Sequence, residues 1–241
     1  MATSGLTIAQ ITRDEIITDA LGHLVVLGEG QSPNAAQITK GTRLLNNIVS
    51  EFRTFGMQVW ARTNLDIPLI VGQDTYVIGT GQAINTPYPT YIYDIELQMP
   101  TQGNKFQMTS LPIVDFEQLP LNSTGTPVNY NYQPQVNLGT LVVWPTPDSS
   151  VPVGTLMNVT YQRPIEIFNA ATDTPDFPQE WGNALTFSMA LVWADTYGVP
   201  EAKKAWLEKQ AEKHLNTVLG TANEQGSMFI QPYYVGGNWE S

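Results

Sequence analysis

The sequence contains no cysteine among its 241 residues and only two histidines. The missing cysteines exclude disulfides, thiolate metal sites and a cysteine nucleophile. His23 and His214 are far apart in the sequence and do not have the spacing of metal ligands. We interpret both as surface or helix-packing residues. Phosphate-loop, EF-hand and Gly-x-Ser-x-Gly patterns are also missing, so the sequence predicts no cofactor, no metal and no catalytic residue.

Basic residues are scarce. Lysine and arginine number 11 against 22 aspartates and glutamates, which gives a net charge of −11. Residues 58–176 contain ten carboxylates and three cations, at Arg62, Lys105 and Arg163. A protein that binds duplex DNA tightly needs clustered basic side chains to displace counterions. This charge distribution argues against tight DNA binding.

Long apolar runs are missing as well. No segment approaches the length of a membrane span, and the first residues lack the basic stretch and apolar core of a secretory signal. The composition, 42% hydrophobic and 14% charged, is that of a folded chain. We therefore expect a soluble protein that is made in a cytoplasm and does not associate with membranes.

Residues 1–57 carry the periodicity of two helices. Thr12 and Glu15 form a predicted capping box ahead of an apolar face, and Leu27-Gly28 predicts the end of the first helix. Ser32-Pro33 predicts the start of a second helix that reaches Gly56. The short connection predicts an antiparallel helical hairpin.

Residues 58–176 change to a period of two and are rich in proline. This pattern predicts an antiparallel β-rich region with strands near residues 65–71, 75–78, 91–99, 106–111, 140–144 and 157–161. The alternation places Tyr91 and Tyr93 on the core side. Residues 122–137 are expected to form a long exposed connection, which makes a possible inter-subunit or tail-contact loop from Thr126, Pro127, Tyr130 and Tyr132.

Helical periodicity returns over residues 177–223. The segment after Trp181 is apolar on opposite sides, so it should be sandwiched between other elements, and a second helix follows Pro200. The predicted fold class is therefore α+β: a helical bundle formed by N-terminal and C-terminal helices, with a central antiparallel β-rich region.

Residues 224–241 have no helical period but contain many large apolar side chains among glycines. Such a composition is typical of interface anchors. We expect an extended C-terminal docking arm that binds a partner through Met228, Phe229, Ile230, Gln231, Pro232, Tyr233, Tyr234 and Trp239.

Five motifs in order resemble one known family. They begin at Ile11 (ITRDEIITDAL), Gly125 (GTP), Val143 (VWPTPD), Thr160 (TYQRPI) and Asp176 (DFPQEW). Together they are similar to the head-to-tail adaptors, or head-completion and packaged-DNA-stabilisation proteins, of tailed bacteriophages, especially those with short tails. The resemblance runs from about residue 8 to residue 232.

The resemblance implies a structural virion protein of the neck, between the capsid portal and the tail. It implies a dodecameric ring, with the C-terminal arm on the portal and the opposite face receiving tail or nozzle proteins. A ring needs two different patches on each subunit, which the long loops and the arm could supply. An acidic lumen suits DNA that passes through without being held.

Two other functions remain open from the residues. A muramidase-like hydrolase needs only two suitably spaced acids. Candidate acids are available at Glu29, Glu51, Asp94, Glu96, Asp115, Glu117, Asp173, Asp176 and Glu180. A free-standing carbohydrate or protein binder could instead use a tyrosine platform of Tyr88, Tyr91, Tyr93, Tyr130 and Tyr132.

Overall fold

Helices from both ends of the sequence form one hydrophobic cluster, and the strands between them form a second cluster. This arrangement is seen in a computed structural model that describes residues 10–28, 30–54, 59–100 and 105–222. The predicted α+β class is confirmed. No helix within these described ranges is long and apolar enough to cross a membrane.

Helix α1 (Arg13–His23) begins with the predicted capping box. The hydroxyl of Thr12 accepts from the Glu15 amide, and the Thr12 amide donates to the Glu15 carboxylate at 2.7 Å. The predicted end at Leu27-Gly28 is wrong, because the helix stops at His23. The left-handed residue beyond it is Val25, with φ of 59°, a conformation that sequence rules assign to glycine or asparagine.

Helix α2 (Ala35–Phe52) starts later than Ser32-Pro33 predicted. Its N-cap is Asn34, whose side-chain oxygen accepts from the Gln37 amide at 2.9 Å. The Asn34 amide donates in return to the Gln37 side chain at 2.9 Å. This reciprocal pair satisfies two backbone amides at the start of the helix that have no partner within it.

The middle of the chain forms ten short strands within the described residues. They are β1 (Arg62–Pro68), β2 (Thr75–Gly79), β3 (Tyr91–Gln98), β4 (Lys105–Gln107), β5 (Thr109–Ser110), β6 (Thr124–Gly125), β7 (Asn129–Gln135), β8 (Leu138–Trp144), β9 (Thr146–Pro147) and β10 (Leu156–Gln162). A short helix, α3 (Ile113–Phe116), follows β5. Strand β1 begins three residues before the predicted one, and residues 106–111 form two strands instead of one.

Two four-stranded sheets share one core. Their orders are β1-β10-β3-β4 and β2-β8-β7-β5, and β6 pairs with β9 separately. Alternate residues of β8 and β10 are buried, as the period of two predicts. The two sheets contribute together to one cluster of buried side chains, which includes Ile67, Ile95, Leu97, Tyr76, Ile78, Leu141, Val143, Met157 and Val159.

The predicted burial of Tyr91 is wrong. Strand β10 pairs Thr160 with Asp94 but Tyr161 with Ile92, so Tyr93 is an extra residue in the ladder. This bulge inverts the alternation toward the start of β3. Ile92 is therefore buried, while Tyr91 is 52% exposed.

The predicted long exposed connection over residues 122–137 is also wrong in its second half. Residues 129–135 are β7, which pairs along its whole length with β8. Tyr130 is only 4% exposed and belongs to the core. The alternation of tyrosine with asparagine and glutamine in this segment is a strand pattern. The turn-forming residues that precede it led to the prediction of a loop instead.

The C-terminal helices complete the helical cluster. Helix α4 (Trp181–Ala194) packs on α1, α2 and α5 (Glu201–Ala222), which confirms that α4 is sandwiched. Gly41 lies where α2 meets both α4 and α1, because a Cβ there would be 2.9 Å from the Trp193 ring and 3.1 Å from Ile17. The three helices approach closely because this position has no side chain.

The segment between β10 and α4 joins the two clusters. Arg163, just after β10, forms a bidentate ion pair with Asp176, which precedes α4. Phe168 donates its amide to Asn46 at 2.9 Å, and Arg13 donates to the Asn169 carbonyl at 2.7 Å. The segment is thereby tied to both α1 and α2.

Candidate functional site

The predicted portal-docking arm lies outside the described residues. This applies to Met228, Phe229, Ile230, Gln231, Pro232, Tyr233, Tyr234 and Trp239, so their partner-binding role stays a prediction. Helix α5 ends at Ala222, immediately before the arm. Within the described residues, the candidate binding site is a cleft in the β-rich region.

A cleft of about 680 Å³ lies between strands β3 and β7, which belong to different sheets. Residues 91–94 of β3 lie beyond the part that pairs with β4, and residues 131–135 of β7 lie beyond the part that pairs with β5. The chain crosses from β4 to β5 beside the cleft, where the Met108 amide donates to Ile95 and the Thr109 amide to Val128, both at 2.8 Å. The cleft is thus a gap between two sheet edges, with its principal side chains from Tyr91, Tyr93, Tyr130, Asn131, Tyr132 and Gln133.

Tyr91 and Tyr93 form the β3 side of the cleft. Their ring centroids are 5.2 Å apart with the ring planes at 74°, an edge-to-face contact. The Tyr93 ring lies under the Arg62 guanidinium at 4.5 Å, and its hydroxyl donates to the Gln162 side chain at 3.1 Å. These contacts fix Tyr93, which in turn supports the exposed ring of Tyr91.

Tyr130 and Tyr132 form the β7 side. Burial raises the pKa of both phenols, which favours the protonated hydroxyl as a hydrogen-bond donor. The Tyr132 hydroxyl donates to the Pro89 carbonyl at 2.5 Å, which ties β7 to the segment before β3. Tyr132 therefore links the β7 wall of the cleft to the segment that precedes the β3 wall.

The lining of the cleft is polar but uncharged. Asn131 donates to the Leu111 carbonyl at 2.8 Å and accepts from Gln133 at 3.0 Å, so the two amides are oriented by each other. None of the described residues that line the cleft is an aspartate, glutamate, lysine or arginine. Asp94 belongs to an adjoining pocket, where it accepts from Gln107 at 3.0 Å.

The structure separates the four residues predicted as a contact loop. Tyr130 and Tyr132 are strand residues at the cleft, whereas Thr126 and Pro127 lie in the turn between β6 and β7. Pro127 is buried and Thr126 is half-buried. Tyr130 cannot meet a partner without leaving the core, so of the two tyrosines only the half-buried Tyr132 is placed for contact at the cleft.

The tyrosine platform considered from the sequence is brought together. Tyr91, Tyr93, Tyr130 and Tyr132 all line the cleft, and Tyr88 is close enough to influence the pKa of Tyr132. Sequence reasoning missed Ser110, Asn131 and Gln133, which supply the hydroxyl and amide groups. Strand alternation across residues 129–135 was the signal that could have found the two amide side chains.

Several of the candidate acids have structural partners. Asp176 binds Arg163, Glu96 pairs with Lys105 at 2.7 Å, and Asp173 accepts from the amides of residues 169 and 170. These backbone hydrogen bonds lower the pKa of Asp173. A general acid requires the opposite shift. Burial does raise the pKa of Asp19 on α1, an acid outside the candidate set.

The two histidines meet on the helical side. His23 and His214 stack on Phe187 with ring-centroid distances of 4.5 and 5.0 Å, and Trp206 contacts Phe187 edge-on. Burial lowers the pKa of His23. Both therefore act in helix packing, one of the two roles predicted for them.

No protein-family model matches the chain, and a comparison with curated proteins also gave no match.

Proposed function

We propose that this protein is a ring-forming head-to-tail adaptor of a tailed bacteriophage. It would be a structural virion protein, not an enzyme, located in the neck, where it joins the portal to the tail and helps to retain packaged DNA. The observation that carries the proposal is the helical cluster built from α1, α2, α4 and α5 beside a β-rich middle. The resemblance of the five motifs implies this same architecture.

In this proposal about twelve copies surround a lumen through which DNA passes without sequence-specific contact, as the family resemblance implies. The net charge of −11 supports a conduit that does not retain DNA. Residues 224–241 dock on the portal through their large apolar side chains, a composition typical of interface anchors. The β-rich region then remains for tail or nozzle proteins.

The test is to mix the full chain with its portal and image the particles. We expect rings of about twelve subunits on the portal. A variant without residues 224–241 should keep the far-UV circular dichroism of the full chain but lose portal attachment. Bare portals beside monomeric full-length chain would refute the adaptor function, and unchanged attachment of the shortened chain would refute the docking arm alone.

A further inference from the structure

The cleft between β3 and β7 has a shape and a lining that the adaptor function does not require. Its volume of about 680 Å³ is within the range of sites that hold small ligands. Four tyrosines converge there from two sheets, and one of them is 52% exposed although its neighbours hold it in place. We infer that this cleft binds a neutral carbohydrate chain.

The lining determines the charge of the ligand. A buried charge needs an opposite charge or several hydrogen bonds, and the described lining supplies only hydroxyls, amides and backbone groups. Phosphate and carboxylate ligands are commonly held by arginine or lysine, which the described lining lacks. The acidic character of the protein further repels anions. An anion is therefore disfavoured, and the described lining has no carboxylate to pair with a buried cation, so a neutral ligand fits best.

The mixture of groups determines its chemical class. A sugar ring has an apolar face of C–H groups and a rim of hydroxyls. Tyr91 presents an aromatic ring for the apolar face, while Gln133 and Ser110 present an amide and a hydroxyl for the rim. A purely apolar ligand would displace water from these polar groups and offer them no hydrogen bond in return.

The site is also fixed before a ligand arrives. The bulge at Tyr93 turns Tyr91 outward, and Tyr93 itself is held by Arg62 and Gln162. A rigid aromatic ring loses little conformational entropy on binding. Tyr91 is thus the residue on which binding depends most.

An extended peptide is the competing occupant, because sheet edges accept added strands. Two features work against it here. The bulge at Tyr93 interrupts the regular repeat of donors and acceptors along β3, and Pro134 removes an amide donor from β7. Both features blunt an edge against strand addition while leaving the side chains available to a sugar.

The test is calorimetric titration of the full chain with three neutral hexasaccharides: maltohexaose, cellohexaose and chitohexaose in its N-acetylated form. We expect at least one to bind, and the anionic hexamer of galacturonic acid to bind none or far more weakly. Tyr91→Ala should weaken binding about tenfold, and Tyr91→Phe, which keeps the ring, by less than about threefold. Trp206→Ala, which removes a comparably exposed aromatic ring from α5, should change nothing.

Three outcomes would overturn the inference: no neutral hexamer binds at millimolar concentration, Tyr91→Ala binds as well as the parent, or a blocked peptide of alternating threonine and valine binds while the saccharides do not. Portal attachment is measured separately and does not enter this result. The carbohydrate site and the adaptor function can therefore fail independently.

Discussion

Gly41 is a single position on which the packing of three helices depends. A methyl group there would overlap the Trp193 ring and crowd Ile17, both of which are fully buried. Gly22 on α1 provides a matched comparison, because a Cβ at that position meets nothing within 4 Å. The two glycines have the same intrinsic helix propensity but opposite surroundings.

We expect Gly41→Ala to lower the free energy of unfolding by about 1–3 kcal/mol, the usual cost of overpacking a core, less up to about 1 kcal/mol gained in helix propensity. Gly22→Ala should be neutral or slightly stabilising. Urea unfolding followed by circular dichroism measures both. Equal effects of the two substitutions would show that the close approach at Gly41 does not limit packing.

Single residues also mark where sequence reasoning fails. Val25 ends α1 in a left-handed conformation that favours glycine, and no local pattern predicts such a choice. The bulge at Tyr93 depends on how β3 pairs with β10, some 65 residues later in the sequence. Because the exposure of Tyr91 follows from that pairing, its place at the cleft could not be predicted from periodicity.

Among the elements, the helices follow closely from local chemistry. The capping box at Thr12 and Glu15, the apolar face of α1 and the two apolar sides of α4 all appear as predicted. Strands β8 and β10 are correct within two residues. The cleft could be predicted only in part. The tyrosines were identified from the sequence, but their convergence depends on how the two sheets lie relative to each other, which no local pattern predicts.

The start of α2 allows a test of which residue caps the helix. Asn34 caps the helix, whereas Ser32, the residue favoured by the sequence, lies two positions earlier and is exposed. Asn34→Ala should lower the free energy of unfolding by about 1 kcal/mol, through loss of the bond to the Gln37 amide. Ser32→Ala should cost less than about 0.5 kcal/mol. Denaturant titration of both variants decides the position of the cap, and the reverse order of effects would place it at Ser32.

For the molecule as a whole, the His23 contact makes stability depend on pH. Burial lowers the pKa of His23, an effect that Lys203 reinforces and Asp19 partly opposes, and the ring stacks on Phe187, whose other face carries His214. The pKa in the unfolded chain is about 6.5, so just below that pH the unfolded state binds more protons than the folded state. Stability from this residue is therefore complete above about pH 6.5 and is lost as the pH falls.

We expect the free energy of unfolding to decrease from pH 7.5 to pH 5.5, and His23→Phe to make this decrease smaller, because phenylalanine keeps the ring stack without titrating. Asp19→Asn should make it larger, since Asp19 favours the protonated imidazole. Urea titrations at three pH values measure these slopes. The same slope in the parent and in His23→Phe would contradict the assignment.

The joining of both chain ends in one helical cluster also affects how the protein is made. Helix α2 ends at Phe52, and its partner α4 begins at Trp181, about 130 residues later. At roughly 5–20 residues per second, a ribosome needs about 6 to 26 s to cover this interval. During that time the apolar faces of α1 and α2 have no native partner from α4, while the strands between them emerge in order. The β-rich region is thus free to form first, and the helical cluster can close only after α4 has been made.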